Sequence, residues 1–398
     1  MKGPAIMTRG AEMTHDDLVA RAAGLAPRLR ERARETETLR RLPDDTIEEL
    51  RASGLLDLFK PRSHGGLQAS LRTAFEVATQ LARGCGSTAW VVSQLNLAMW
   101  MACALPEGVR EEILRQPESS ILFALLGRGS AERVAGGYKI NGVWPFCSGS
   151  HHIAWIGLGL PVEDGRGGAA PAFFIVPASA LEILDDWHVS GFCGTCSNST
   201  AAHDLFVPDG RVAPVSAVFS GELLSPDLIG SPYRCPIVQG IVVTAASCAL
   251  GMAQAALEVF KAQTEGRGIS FTLYEKKAEA PVTHLLLSEA AMKVRAADLL
   301  LHAAVEDLER RTAGAGAMDV ELLIRIRTEV AFAVHLCREA VETLFGASGG
   351  SSLALSNPIQ RIARDARAIC QHAAYCLPTN LEAHGRVMLG LSPNLSFV

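Results

Sequence analysis

Positive charge is not in surplus in this sequence: 37 Lys and Arg face 42 Asp and Glu, for a net charge of -5. Such a balance offers no basic field to a phosphate backbone or an anionic lipid surface, so nucleic-acid and membrane-surface binding are set aside. No apolar run of signal-peptide length stands in Met1–Asp17. Met7 and Met13 suggest a ragged leader before the first helix, and a cytoplasmic location is expected. There is no cysteine framework either. The ten cysteines are scattered, mostly in apolar stretches (Cys103, Cys248, Cys337, Cys370, Cys376), where a reduced thiol behaves as a small hydrophobe and no disulfide is expected. Cys193-Gly194-Thr195-Cys196 has C-x-x-C spacing, with Cys147, His151 and His152 as conceivable partners. No second C-x-x-C or spaced His pair completes a tetrahedral set, so no metal site is assigned.

What is present is apolar: 48% of residues are hydrophobic and 20% charged, the balance of a globular enzyme. A chain of 398 residues fits two or three packed domains. Pro236–Leu257 carries no charge and is long enough to span a bilayer. Its Gln239, Thr244, Ser247 and Gln254, among many Ala and Gly, fit better a helix buried on nearly all sides in a bundle.

Texture divides the chain into an α-helical region at 1–118, a β-region at 119–215 and a helix bundle at 216–398. Helices are expected around Pro43 with Gly54 as the C-terminal cap, and at Leu71–Arg83, Ser87–Leu105 and Glu107–Gln116. Short apolar runs such as GYKINGVWPF, IAWIGLGL and AFFIVP then predict a small antiparallel barrel or sandwich, with Asn141-Gly142 as a hairpin turn. After a loop at Val215–Pro236, four helical stretches follow: Val238–Thr264, Ala280–Arg311, Val320–Leu344 and Pro358–Tyr375. The fold class is therefore mainly α with a β-domain. GCGSTA at Gly84–Ala89 matches a dinucleotide fingerprint, but a helix precedes it where that motif needs a strand. It reads as a helix-to-helix turn with Ser87 as N-cap.

Four segments stand together in order and spacing: Gly142–Trp155 (GVWPFCSGSHHIAW), His188–Pro208, Leu344–Leu353 (LFGASGGSSL) and Asn357–Tyr375. They resemble the signature segments of class D flavin monooxygenases, oxygenase components built on the acyl-CoA dehydrogenase fold, and the resemblance runs from RRLPDDTIEELRASGLLDLFKPRSHGG onward. It implies an N-terminal helical domain, a middle β-barrel and a C-terminal four-helix bundle. The implied activity is hydroxylation of a small aromatic, phenolic substrate through a C4a-hydroperoxyflavin. The implied cofactors are FMNH2, with FADH2 as the alternative, and O2. A separate NAD(P)H:flavin reductase is implied, since the chain has no nicotinamide-binding motif of its own, and so is a homotetramer.

By the same resemblance, Phe146, Cys147, Ser148 and Gly149 line the isoalloxazine, with Ser148 near N5 and Ser197 in the same site. Arg267, Phe271, Ser348, Gly349 and Gly350 serve the phosphate end, since glycine-loop amides and a guanidinium approach an anion closely. An ordinary turn and a solvated arginine are the plainer readings of these two elements. His372 takes the catalytic role. In dehydrogenases of this superfamily a catalytic Glu lies about nine residues after the Arg of an Arg-Asp pair. Here Arg364-Asp365 leads to Ala373 beside His372, and no carboxylate appears between Asp365 and Glu382. The base of a thioester dehydrogenase is missing, whereas an imidazole suits deprotonating or holding a phenol. Same-fold oxidation of nitrogen or sulfur stays open, because the oxidising chemistry is the cofactor's. A histidine that relatives often carry in Ala89–Trp100 is absent, leaving Ser93, Gln94 and Asn96.

Overall fold

The computed structural model describes residues 13–163, 168–225, 228, 232–314 and 318–395. The leader expected at the N-terminus falls largely outside them. The first helix, α1 (His15–Leu39), opens on a capping box in which the Thr14 and Asp17 side chains satisfy each other's backbone N–H groups. Then come α2 (Asp44–Ala52), α3 (Leu71–Gly84), α4 (Gly86–Ala102) and α5 (Glu107–Leu114). GCGSTA is a helix-to-helix turn, but its N-cap is Cys85 and not Ser87. Cys85 is extended at φ -151° and donates its N–H to Leu81 O, so the helix restarts at Gly86 and swallows Ser87. Gly54 likewise lies one residue past the α2 cap, Ser53.

The β-region holds β1 (Ile121–Ala124), β2 (Arg128–Val134), β3 (Gly137–Trp144), β4 (Trp155–Glu163), β5 (Ala169–Pro177), β6 (Glu182–Ile183), β7 (Thr200–Pro208) and β8 (Val212–Pro214). They form two sheets ordered β1-β4-β5-β8 and β2-β3-β7-β6. Two features differ from the sequence expectation. β1 and β4 pair in parallel, Ile121 opposite Trp155, because the chain visits the other sheet between them and re-enters in the same direction. Asn141-Gly142 is no hairpin turn; the turn is at Ala135-Gly136, and Asn141 sits at a bulge inside β3. The Asn141 amide accepts from the Asp204 N–H at 2.8 Å and donates to its carboxylate at 3.1 Å. A bulge draws on the same backbone freedom as a turn, which is why the dipeptide misleads.

The C-terminal part contains α6 (Val215–Ser220), α7 (Ile237–Thr264), α8 (Pro281–Ala313), α9 (Val320–Ala347), α10 (Pro358–Ile369) and α11 (Leu377–Met388). The fourth expected stretch is shorter than its periodicity suggested: α10 stops at Ile369 and the chain turns before α11, whose Pro378 sits in its first turn. Among the described residues α7 is the helix long and apolar enough to cross a membrane, and 83% of its apolar window is buried. It is a core helix. Gly251 lets α3 lie directly against it, since a Cβ there would stand 2.2 Å from Thr79 O.

One apolar core joins Leu29, Phe75 and Trp100 of the first helices to Val243, Leu301 and Val334 of the bundle. A smaller core between the sheets contains Ile140, Trp144, Leu158 and Phe174. Helices from both ends of the chain thus pack as one body, and the turn after β3 meets it at α4.

Candidate active site

Phe146–Gly149, the turn after β3, is held in two directions. Gly149 (φ +78°) donates its N–H to Thr195 O at 2.8 Å, and a Cβ there would stand 3.3 Å from Val91 on α4. Phe146, in the left-handed region at φ 62°, turns its ring outward to 66% exposure, edge-on to Trp187. Cys147 differs from its assigned place. Its thiol is buried in the inter-sheet core and donates to Trp144 O at 3.2 Å, and burial pushes its pKa up to about 11. The alternation of a chain leaving a strand turns this side chain away from the outer face.

The Ser148 hydroxyl is buried and shared: Trp90 Nε1 donates to it at 3.1 Å, and Ser197 Oγ lies 2.8 Å away. Ser197 continues to Thr195 Oγ1 at 2.7 Å, which donates to Phe192 O at 2.8 Å. The Phe192 ring stacks on Trp90 with centroids 5.4 Å apart, and the His372 ring meets Trp90 edge-on at 5.6 Å. Segments around residues 90, 148, 192–197 and 372 therefore converge on one cluster of aromatic rings and hydroxyls.

His372 is not on a helix. It caps the turn after α10, where the Ala374 N–H donates to its Nδ1 at 3.2 Å. The ring is accessible from outside, yet protein packs around it densely enough that burial holds its pKa below 6.5. The neutral ring with Nδ1 as acceptor carries its proton on Nε2. Its other nitrogen is left as the one that faces outward, which suits holding a phenol, one of the two roles expected for it.

Arg267, Phe271 and Ser348–Gly350 form a second group, and among the described residues no hydrogen bond, ion pair or ring contact joins it to the first. Arg267 reaches Ser351 Oγ at 3.3 Å. Phe271 is fully exposed at φ 60°. Ser348 caps α9, its hydroxyl donating to Leu344 O at 2.7 Å, so it is engaged in ending the helix. Gly349 (φ +73°) and Gly350 have open space where a Cβ would stand. Lys277, absent from the sequence reading, donates to Ala347 O at 2.6 Å and lies over the Phe260 ring. Burial first, then the Arg267 charge, holds its pKa below 10.5. Among the described residues no carboxylate pairs with either cation.

Trp90, Phe192, Thr195 and Asp365 were also missed. Trp90 lies inside the Ala89–Trp100 segment searched for a histidine. Of the polar residues named there, Asn96 is structural: it accepts from Leu58 N–H at 2.8 Å and donates to Leu55 O and Val92 O. Ser93 faces Cys248. The C-x-x-C pair holds no metal-like cluster among the described residues, and all ten cysteines are free. Cys376, expected in an apolar setting, is exposed.

A helical front, two small sheets, a rear bundle and a recess of hydroxyls beside aromatic walls define an enzyme of the acyl-CoA dehydrogenase fold. Family models for the acyl-CoA dehydrogenase N-terminal and C-terminal domains match residues 14–114 and 243–376. The chain is 33% identical over 390 residues to the oxygenase component of FADH(2)-dependent resorcinol hydroxylase from a Rhizobium species, covering 95% of each. XiaF from a Streptomyces species, solved with FADH2 and glycerol, superposes with a TM-score of 0.90 at 30% identity, over 96% of this chain and 98% of that one. The HsaA monooxygenase of M. tuberculosis superposes at 0.88 with 31% identity, over 97% of this chain and 100% of that one. The chain belongs to the flavin-dependent monooxygenases, as an oxygenase component of the acyl-CoA dehydrogenase fold.

The residues present fit a flavin. Phe146 offers a large apolar ring to the outside, Ser148 and Ser197 form a hydroxyl pair against Trp90, and Arg267 with Lys277 offers two cations that, among the described residues, lack a carboxylate.

Proposed function

We propose that this chain hydroxylates a small phenolic substrate with reduced flavin and O2, and that a separate NAD(P)H:flavin reductase supplies the flavin. The observation carrying this reading is the convergence of Trp90, Ser148 and His372 on one recess, with a hydrogen-bond donor and no carboxylate base at the His372 position. Bound reduced flavin supplies the electrons by which one oxygen atom of O2 becomes water while the other enters the substrate.

The protein's share is placement. Ser148, with its hydroxyl fixed by Trp90 and Ser197, would hold the flavin by a hydrogen bond, and Phe146 would pack against its ring. His372 Nε2–H holds the substrate's phenolic oxygen and favours its ionised form, which directs electron density into the ring. The aromatic walls of Trp90 and Phe192 keep water from the reacting oxygen. Arg267, Lys277 and the Gly349–Gly350 amides take the phosphates. Two cations suit a diphosphate, so FADH2, the flavin in the names of two relatives, replaces FMNH2 as the first choice. As the family resemblance implies, the phosphate group of one copy completes the recess of a neighbouring copy in a homotetramer, which is in keeping with the lack of any contact between the two groups among the described residues. The apolar residues Val282, Leu285, Met292 and Leu299 exposed along α8 supply contact surface.

The test is to mix the protein and reduced FAD, free of oxygen, with O2 and a panel of simple phenols. Oxygen consumed one-for-one with a dihydroxylated product supports the reading. Tightly held yellow FAD that accepts electrons from an acyl-CoA, with no phenol turned over, overturns it.

A further inference from the structure

Asp365 is the unusual group beside the recess: a fully buried carboxylate on α10 that no expected step uses. Its Oδ1 accepts the Phe192 N–H at 2.6 Å. The strand of chain at 190–192 is laced to α10 at two further points. Arg364 Nη1 donates to Ser190 O at 2.7 Å, and Gly191 lies so close that a Cβ would stand 2.3 Å from Arg364 O. Phe192 is held in the left-handed region at φ 55°, a costly conformation for a bulky residue that persists only where its surroundings enforce it.

From Phe192 two routes lead to Ser148. Its ring stacks on Trp90, whose Nε1 donates to Ser148; its carbonyl accepts from Thr195, which passes through Ser197 to the same hydroxyl. We propose that Asp365 is a positioning residue for oxygenation: by holding the Phe192 backbone it fixes the Trp90 ring and the Ser148 hydroxyl in the recess. This rests on the reading of the recess given above.

Burying a carboxylate is costly even beside cations. The groups facing Asp365 are Arg361 and Arg364 of its own helix, Glu37 of α1, paired with Arg364, and the Cys85 and Cys193 thiols. Burial outweighs the Phe192 N–H and the two arginines and raises its pKa to about 6. The acceptor is retained at that cost because it sets one backbone conformation.

The experiment uses the full chain labelled with 5-fluorotryptophan, without flavin, followed by fluorine NMR. The five tryptophans are Trp90, Trp100, Trp144, Trp155 and Trp187, assigned by single Phe substitutions. Trp187 Nε1 also donates to Phe192 O, at 3.1 Å. Asp365→Ala is expected to move the Trp90 and Trp187 signals and leave the other three in place. In turnover the same variant loses roughly tenfold in product relative to H2O2, the scale of one lost charged hydrogen bond, with the KM for the phenol little changed. Asp365→Asn keeps an acceptor oxygen and restores both signals and most of the coupling. If Asp365→Ala only lowers thermal stability while Trp90 and Trp187 stay put, or if Asn behaves like Ala, the proposal is overturned. The fluorine spectra need no turnover, so failure of the hydroxylase reading would show separately, as absence of product from the unmodified chain.

Discussion

Trp90 is clamped from two sides, its ring stacked on Phe192 at 5.4 Å and its Nε1–H given to Ser148 at 3.1 Å. The stack and the hydrogen bond can be removed one at a time. Trp90→Phe keeps an aromatic wall but frees the serine hydroxyl, and Ser148→Ala removes the hydroxyl but keeps the wall. Both are expected to lower product relative to H2O2 by about tenfold at similar thermal stability, the scale of a single oriented hydrogen bond. The product-to-peroxide ratio and a melting curve check this on one preparation.

At the phosphate end, Lys277→Met and Arg267→Met should each weaken ADP binding by about tenfold, because each removes one charge-assisted contact. The double variant should lose less than the product of the two, since the cations share one ligand. Calorimetric titration with ADP reads this without flavin chemistry. Unchanged ADP affinity in Lys277→Met would leave that lysine as a cap on the carbonyl end of α9.

His372 is read as a donor, so His372→Ala should reduce product by roughly 100-fold, the scale of losing one oriented donor at a developing charge. His372→Gln, which can present an N–H at a similar reach, should recover part of it. With a neutral ring of lowered pKa, activity holds above pH 6.5 and falls on the acid side, where a second ring proton would oppose the Ala374 N–H. A product yield that stays level as the pH falls well below 6.5 would contradict a role for the neutral ring.

The fold was legible because period and punctuation agree over long stretches: α3, α7 and α9 lie within a few residues of their expected bounds. The errors fall where one residue type serves two backbone uses, as Asn141-Gly142 does at a bulge and the Asn357–Tyr375 stretch does at a break that leaves His372 in a turn. The site was half legible. Ser148 and His372 were named from motif context, and the structure brings both against Trp90. Trp90 and Asp365 hydrogen-bond partners 58 and 173 residues away, and nothing in local sequence announces such a pairing.

His152 gives a test of stability rather than activity. Burial, then the charges of Arg41 and His151, depress its pKa to about 4, and its Nε2 is buried without a partner. The folded state therefore binds fewer protons than the unfolded chain between pH 6.5 and 4. Stability is fully present above 6.5 and is lost as pH falls toward 4, by about 3 kcal/mol. In His152→Gln that part of the acid slope should vanish from denaturant titrations. An unchanged slope would place the acid sensitivity elsewhere.

Oxygen from O2 is expected to enter a phenol at the Trp90–Ser148–His372 cluster. The direct measurement is a single turnover of the protein with reduced FAD, a simple phenol and 18O2, with mass spectrometry of the product. One 18O atom per newly formed hydroxyl is expected, with loss of that label-bearing product in His372→Ala. Product that carries its new oxygen from water, or 18O found only in H2O2 for every phenol tried, would contradict it.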